Sequence, residues 1–438
     1  MKISANNVRS TLGKHILADG LDPIMDVEKS HGSWIVDERD GSKYLDMFSM
    51  FASGAVGYNH PMIVEKRDVL GMVSQNKPTL SDVYNVYYAN FVDTFSRLAI
   101  PDYLPHTFFI EGGSLAVENA LKIAFDWKVR KNMSKGKAKK GSQIIHFKEA
   151  FHGRSGYTLS LTNTSDPRKT MYFPKFDWPR IENPKLSFPI SEFILENVKK
   201  KEELAVQQIK QAISDNPDDI AAIIIEPIQG EGGDCQFRDE FFIILRELCD
   251  ENEMLFIMDE VQTGVGITGK WWAHQHYTVK PDIISFGKKA QVCGLLASKR
   301  VEEVDDHVFS ESSRINSTWG GNLTDMVRFQ YILEIIEKEN LLSNAAKMGD
   351  LLLIEMQNLC QEFPAFIVNP RGKGLFAAFD LPSQTERDNL INKLHENKLL
   401  ILPSGDESVR FRPHLNVTKD DLLEAMAIIK ATIKNVLN

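Results

Sequence analysis

Cysteine is scarce in this 438-residue sequence: Cys235, Cys249, Cys293 and Cys360 are the four present, and no two stand in a CxxC spacing. Neither a disulfide framework nor a zinc-ligand set is indicated, which suits a reducing cytosol. Long apolar runs are also lacking. The longest aliphatic run near the middle, IAAIII at 220–225, is far too short to cross a bilayer. The opening stretch MKISANNVRSTLGKHILADG has no continuous apolar segment of the kind a secretory signal needs. A soluble, cytoplasmic protein is therefore expected. Positive charge is in deficit, with 51 Lys and Arg against 60 Asp and Glu and a net charge of -9, which argues against a generic nucleic-acid or anionic-membrane binder. One basic run, KVRKNMSKGKAKKG at 128–141, carries Gly and Ser but no aromatic residue and is expected to be a solvated connection after a helix. Neither GxGxxG nor the P-loop pattern is found, so a dinucleotide or nucleoside triphosphate is not supported.

What the sequence does have, from about residue 61 to 325, is an alternation of amphipathic segments with short aliphatic runs. GGSLAVENALKIAFDWKVRK spaces Leu115, Ala120, Ile123, Ala124 and Trp127 as a helix does. QIIHF, IAAIIIEP and EMLFIMDE are short apolar runs, the last two too continuous for a half-exposed strand, and read as buried strands of a parallel sheet. The fold class expected is α/β, a large domain over 61–325 with a mainly parallel central sheet. After about 326 the texture changes to a smaller α+β domain, 326–438. It has a helix from about 385 to 397 and a last helix opened by Thr418 with Asp421 three residues on, a capping-box pattern. The N-terminal segment, 1–60, with GSWIVDERDGSKYLDMF, reads as two strands around a turn that could pack on either domain.

In such sheets ligands gather beyond the carboxyl ends of the strands. EMLFIMDEVQTG puts Asp259, Glu260 and Gln262 there. Asp259 is open to several readings, a helix cap or structural ion pair among them, but no second acid or His stands in a metal-ligand spacing. FIEGGSLAVEN runs from a strand through Gly112, Gly113 and Ser114 into a helix, where close backbone approach and free N–H groups suit an anion such as phosphate. AFHGRSGYT offers Phe151 to cover a flat ring and Arg154 to hold a carboxylate by its planar fork. SFGKKAQVCG sets Lys288 and Lys289 side by side, and taken alone the pair could be a solvated strand end. One ligand satisfies the set together: a flat ring with a phosphate, a basic ring nitrogen and a carbonyl that bonds to an amine, which is pyridoxal 5'-phosphate. Asp259 would keep the ring nitrogen protonated, and a lysine with a lowered pKa would be the nucleophile.

The ordered set EGGSLAVENALK, FHGRSGYT, EPIQGEGGD, MDEVQTGVGITG, FGKKAQVCG and STWGGN resembles the class III aminotransferases of fold type I, from about Leu17 to the last helix. FPKFDWPRI, FGKKAQVCG and RINSTWGGNLTDMVR are most like the branch that acts on L-lysine, rather than on ornithine or 4-aminobutyrate. The resemblance implies transfer of the ε-amino group of L-lysine to 2-oxoglutarate, giving 2-aminoadipate 6-semialdehyde and L-glutamate. A mutase or epimerase on the same fold is a further alternative. Carried over by position, Gly113 and Ser114 bind phosphate, Phe151 stacks on the ring, Asp259 pairs with the ring nitrogen and Gln262 sits near the ring oxygen. The family's cofactor lysine precedes a small-residue turn by four, and by that spacing Lys289 is expected to be the catalytic lysine and Lys288 to point elsewhere. Thr318 is expected to reach the phosphate in a neighbouring subunit, implying a homodimer with shared active sites. Arg154 is expected to grip the substrate's distal carboxylate. Arg412, masked by Glu231 during the lysine half-reaction, is expected to take the carboxylate of 2-oxoglutarate nearer the cofactor.

Overall fold

The computed structural model describes residues 3–76 and 82–437. WIV and KYLD form β1 (Trp34–Val36) and β2 (Lys43–Asp46), an antiparallel pair turned at Gly41, where φ is +77°.

The central sheet follows from the aliphatic runs. Its strands are β3 (His106–Ile110), β4 (Gln143–Phe147), β5 (Arg180–Ile181), β6 (Ile220–Ile225), β7 (Leu255–Asp259), β8 (Ile283–Phe286) and β9 (Cys293–Ala297), in the spatial order β3-β9-β8-β7-β6-β4-β5. β9 runs antiparallel to both its neighbours, while β8, β7, β6, β4 and β5 are parallel. Every residue of β6, β7, β8 and β9 is buried, as continuous apolar runs covered on both faces must be. The helix Gly113–Ser134 covers one face through Val117, Ala120, Leu121, Ala124 and Trp127. Leu115, expected on that buried stripe, is instead exposed; only its third helical residue, it precedes the turns that meet the sheet. The basic run also departs from expectation. Its first seven residues belong to this helix, and Lys128 is buried with Nζ donating to the carbonyls of Asn252 and Glu253.

The later part is a second sheet packed on long helices. β10 (Val368–Lys373), β11 (Phe376–Asp380), β13 (Leu402–Ser404) and β14 (Ser408–Phe411) form an antiparallel sheet in the order β10-β11-β14-β13, and β12 (Leu399–Leu400) pairs in parallel with β2. The N-terminal strands thus join the C-terminal part. The predicted helices run Gln384–Glu396 and Lys419–Leu437, and the capping box is reciprocal: Asp421 N donates to Thr418 Oγ1 at 3.1 Å and Thr418 N to Asp421 Oδ2 at 3.3 Å. The carboxyl ends of β4, β6, β7 and β8 open on one side of the central sheet, and β14 approaches that same mouth with Arg410.

Candidate active site

A cavity of about 430 Å³ lies there, and Gly113, Ser114, Phe151, Arg154, Glu231, Asp259 and Gln262 line it. The residues expected from the strand ends are therefore brought together by the topology.

Asp259 closes β7, nearly buried, and its carboxylate is held on both oxygens. Ser285 Oγ at 2.8 Å and Val261 N at 3.0 Å donate to Oδ1, and His152 Nδ1 stands 2.8 Å from Oδ2. His152 then turns a buried Nε2 that finds no hydrogen-bond partner among the described residues. Its direct hold on Asp259 was missed from sequence, although it lies inside the FHGR string. Glu226 was missed as well. It follows β6 as Asp259 ends β7, so the strand-end signal marks both acids. Burial, with Asp259 close by, pushes its carboxyl up to about 7, and its oxygens accept the backbone N–H groups of Phe151 and Gly230, each at 2.9 Å. It thereby fixes the loop that carries Phe151.

At the opposite end of the cavity the helix Gly113–Ser134 begins after Gly112, whose φ of +96° suits glycine, and no side chain among the described residues caps its first N–H groups. Ser114 Oγ sits in a hydroxyl cluster with Ser155 Oγ at 2.5 Å and Thr158 Oγ1 at 2.6 Å. Gly153, with φ +126°, passes so close to Ser114 that a Cβ there would collide with its side chain.

The two lysines part company, and the one that meets the cavity is Lys288. Lys288, at φ +50° after an extended Gly287, lines the cavity; burial, then the Arg410 guanidinium, brings its amine down to about 8. Lys289 turns away. It is 1% exposed and donates from Nζ to Ala52 O at 2.8 Å, and its pKa lies well below the ordinary lysine value because burial and then Arg412 disfavour the charge. Ala52 ends a run of four non-glycine residues, Ser49–Ala52, with φ from 41° to 69°, and that run puts Phe51 into the cavity wall. Lys289 thus braces a left-handed turn. The four-residue spacing points to Lys289, whereas the cavity is lined by Lys288, because neighbouring side chains leave the backbone in different directions.

The arginines divide in the same way. Arg412 is 1% exposed and makes a two-pronged ion pair with Asp234, at 2.7 and 2.6 Å, while its Nε donates to Gln262 Oε1 at 2.9 Å and its guanidinium lies over the Phe376 ring. It lies outside the cavity lining. Arg410, two residues earlier on β14, lines the cavity, and its NH1 is 3.2 Å from Glu231 Oε2. Burial would raise the Glu231 carboxyl, but Arg410 and Lys169 together hold it below the ordinary range. Arg154 is exposed at the mouth and makes no ion pair among the described residues. Thr318 is exposed, on the loop that follows Arg314, and does not line the cavity of its own chain.

These residues fit pyridoxal phosphate. Uncapped N–H groups and hydroxyls suit its phosphate, a buried, fully oriented carboxylate suits its ring nitrogen, Phe151 and Val261 offer apolar walls, and Lys288 offers an amine of lowered pKa.

Comparison with known proteins agrees. The family model described as aminotransferase class-III matches residues 16–433. The L-lysine-epsilon aminotransferase of Mycobacterium tuberculosis is 50% identical over 432 residues, covering 98% of this chain and 95% of that one. The protein of the same name from Amycolatopsis lactamdurans is 44% identical, with 98% and 96% covered. The solved structure of lysine aminotransferase from M. tuberculosis in the internal aldimine form superimposes with a TM-score of 0.97 at 49% identity, over 99% of this chain and 100% of that one. With the sheet order, the strand-end acids and the paired lysines in place, the chain belongs to the class III aminotransferases, pyridoxal-phosphate enzymes of fold type I.

Proposed function

We propose that this enzyme transfers the ε-amino group of L-lysine to 2-oxoglutarate, forming 2-aminoadipate 6-semialdehyde and L-glutamate. The observation that carries the reading is the Glu231–Arg410 ion pair inside the cavity. An enzyme acting on a terminal amine must keep the α-carboxylate of lysine away from the reacting end, yet it must accept an α-carboxylate there when 2-oxoglutarate arrives. A guanidinium that can be neutralised by a neighbouring carboxylate meets both needs without a change in the walls. The likeness to proteins named for lysine supports the same choice of donor.

When bound, the cofactor supplies an electron sink for the carbanion formed at the donor carbon. The chain supplies the rest. The N–H groups at Gly113 and the Ser114 hydroxyl would hold the phosphate, Phe151 and Val261 would flank the ring, Gln262 would sit near the ring oxygen, and Asp259, oriented by His152 and Ser285, would hold the proton on the ring nitrogen. Lys288 would carry the cofactor and, once displaced by substrate, move the proton at the donor carbon. An amine with a pKa of about 8 is neutral in roughly a tenth of molecules at pH 7, enough to act as nucleophile and base. Arg154 would anchor the distal carboxylate of either substrate.

Exposed Thr318, Trp319 and Phe51 near the mouth support a homodimer in which Thr318 completes the partner's phosphate site. We also infer a division into an N-terminal segment (1–60), a cofactor-binding domain (61–325) and a C-terminal domain (326–438). Four reduced cysteines and the lack of any helix long and apolar enough to cross a membrane, among the described residues, agree with a cytoplasmic enzyme. The test is a panel of donors with 2-oxoglutarate, following glutamate formation. Lysine should exceed ornithine and 4-aminobutyrate in kcat/KM; the reverse order would assign the enzyme to those substrates. Failure of any donor to yield glutamate would favour a mutase or epimerase.

A further inference from the structure

Glu231 has two cationic partners, not one. Its Oε2 faces Arg410 at 3.2 Å, while Oε1 accepts from Lys169 Nζ at 2.5 Å. The two cations come from unrelated parts of the chain: Arg410 from β14, Lys169 from the short turn Pro167–Lys169, which is capped by Asp166. Beyond this pair lies a second, strongly polar cavity of about 490 Å³, walled by Thr164, Asp166, Arg387, Ser404 and Asp406. Lys169 and Glu231 line both cavities and so form the partition between them. The backbone of Glu231 is tied down by Gly405 N, which donates to its carbonyl at 2.8 Å, so any motion is one of the side chain. The other cations beside the second cavity are already engaged: Arg387 with Asp388 and the Gly405 carbonyl, Arg168 with Asp166. Lys169 makes no ion pair except with Glu231 among the described residues.

Resting on the lysine and 2-oxoglutarate reading above, we propose that Lys169 is the positioning residue of the Glu231 switch, the partner that keeps the carboxylate paired when an α-carboxylate takes Arg410. Without it, Glu231 would have to leave its one cation for a half-buried position with none, a costly move for a charge. With it, Glu231 gives up one contact, keeps the other, and has the second cavity to enter. Lys169 therefore lowers the barrier to unmasking Arg410 and favours binding of the dicarboxylate partner over lysine.

The test uses the holoenzyme and three variants, Lys169→Met, Lys169→Arg and Glu231→Gln, with Lys169→Met also placed on Glu231→Gln. Each half-reaction is followed separately by the cofactor's absorbance, and binding of glutarate, a dicarboxylate that cannot react, is measured by calorimetry. Lys169→Met should raise the KM for 2-oxoglutarate and the Kd for glutarate roughly threefold to tenfold, on the scale of one partly buried ion pair, while the lysine half-reaction shifts less than twofold. Lys169→Arg should restore most of the loss. On Glu231→Gln, Lys169→Met should add nothing. Equal losses in both half-reactions would make Lys169 a direct anchor for the distal carboxylate and overturn the proposal. A full effect persisting on Glu231→Gln, or no effect at all, would overturn it too. If Glu231→Gln itself leaves the two half-reactions in their original ratio, the switch reading fails; if it shifts them but Lys169→Met does not, only the role of Lys169 fails.

Discussion

Replacing Lys288 by Ala should separate the two lysines. In place, the Lys288 amine has a pKa of about 8 against an ordinary value of 10.5, a drop of about 2.5 units. Near pH 7 that raises the neutral, nucleophilic fraction about 300-fold. Lys288→Ala removes both this nucleophile and the proton carrier, and a positioned proton-transfer group by itself contributes about 10²–10⁴-fold. A fall in kcat of roughly 10³-fold or more is expected. Borohydride reduction of the wild-type holoenzyme followed by peptide mapping should find the cofactor on Lys288. Lys289→Met is the control: it removes the bond to the Ala52 carbonyl, which is worth about 1 kcal/mol, so the Tm should fall while the cofactor stays attached. A cofactor label on Lys289, or near-wild-type turnover of Lys288→Ala, would refute the assignment.

Asp259→Asn should fold but hold the cofactor more weakly, and slow turnover, because the ring nitrogen and His152 both lose their charged partner; equilibrium dialysis with pyridoxal phosphate and kcat check this, and wild-type values would make the carboxylate structural. Glu231→Ala should make glutamate a better donor relative to lysine, and Arg410→Ala should harm the 2-oxoglutarate half-reaction more than the lysine one; equal changes in both half-reactions would sink the switch. Arg412→Ala should cost about 3–5 kcal/mol in denaturant unfolding, since it strands buried Asp234, whereas Arg410→Ala should cost less than half of that. The rate of cofactor uptake by apoenzyme should rise with pH and level off above about 8. The sign follows from the amine, which reacts only after losing its proton; a rate still climbing past pH 10 would mean an unperturbed lysine.

Local pattern was sufficient wherever the physics is local. IAAIII and LFIMD are apolar at successive positions, and only a strand covered on both faces buries such a run, so the central sheet could be read directly. Thr418 and Asp421 stand three apart, and that spacing alone forms the reciprocal cap. Asp259 and the Gly113–Ser114 turn sit where strands end, and parallel topology gathers strand ends at one mouth. Leu115 was misjudged because periodicity gives a helix face but not where along the helix the sheet begins.

Composition, the buried parallel strands, the glycine turn and the strand-end acid were determined by the sequence itself, and with them the fold class and the cofactor's chemistry. The choice between neighbours was not. Lys288 and Lys289 have the same side chain, and which one meets the cavity depends on a φ of +50° at Lys288 and on the left-handed turn, more than two hundred residues away, whose carbonyl takes Lys289. Arg410 and Arg412 stand two apart, so the alternation of a strand puts them on one face and cannot rank them. Asp234 and Gln262 claim one and Glu231 the other. Those partners are brought in by other elements of the fold, and a buried charge goes to whichever partner can satisfy it, which only the tertiary structure decides.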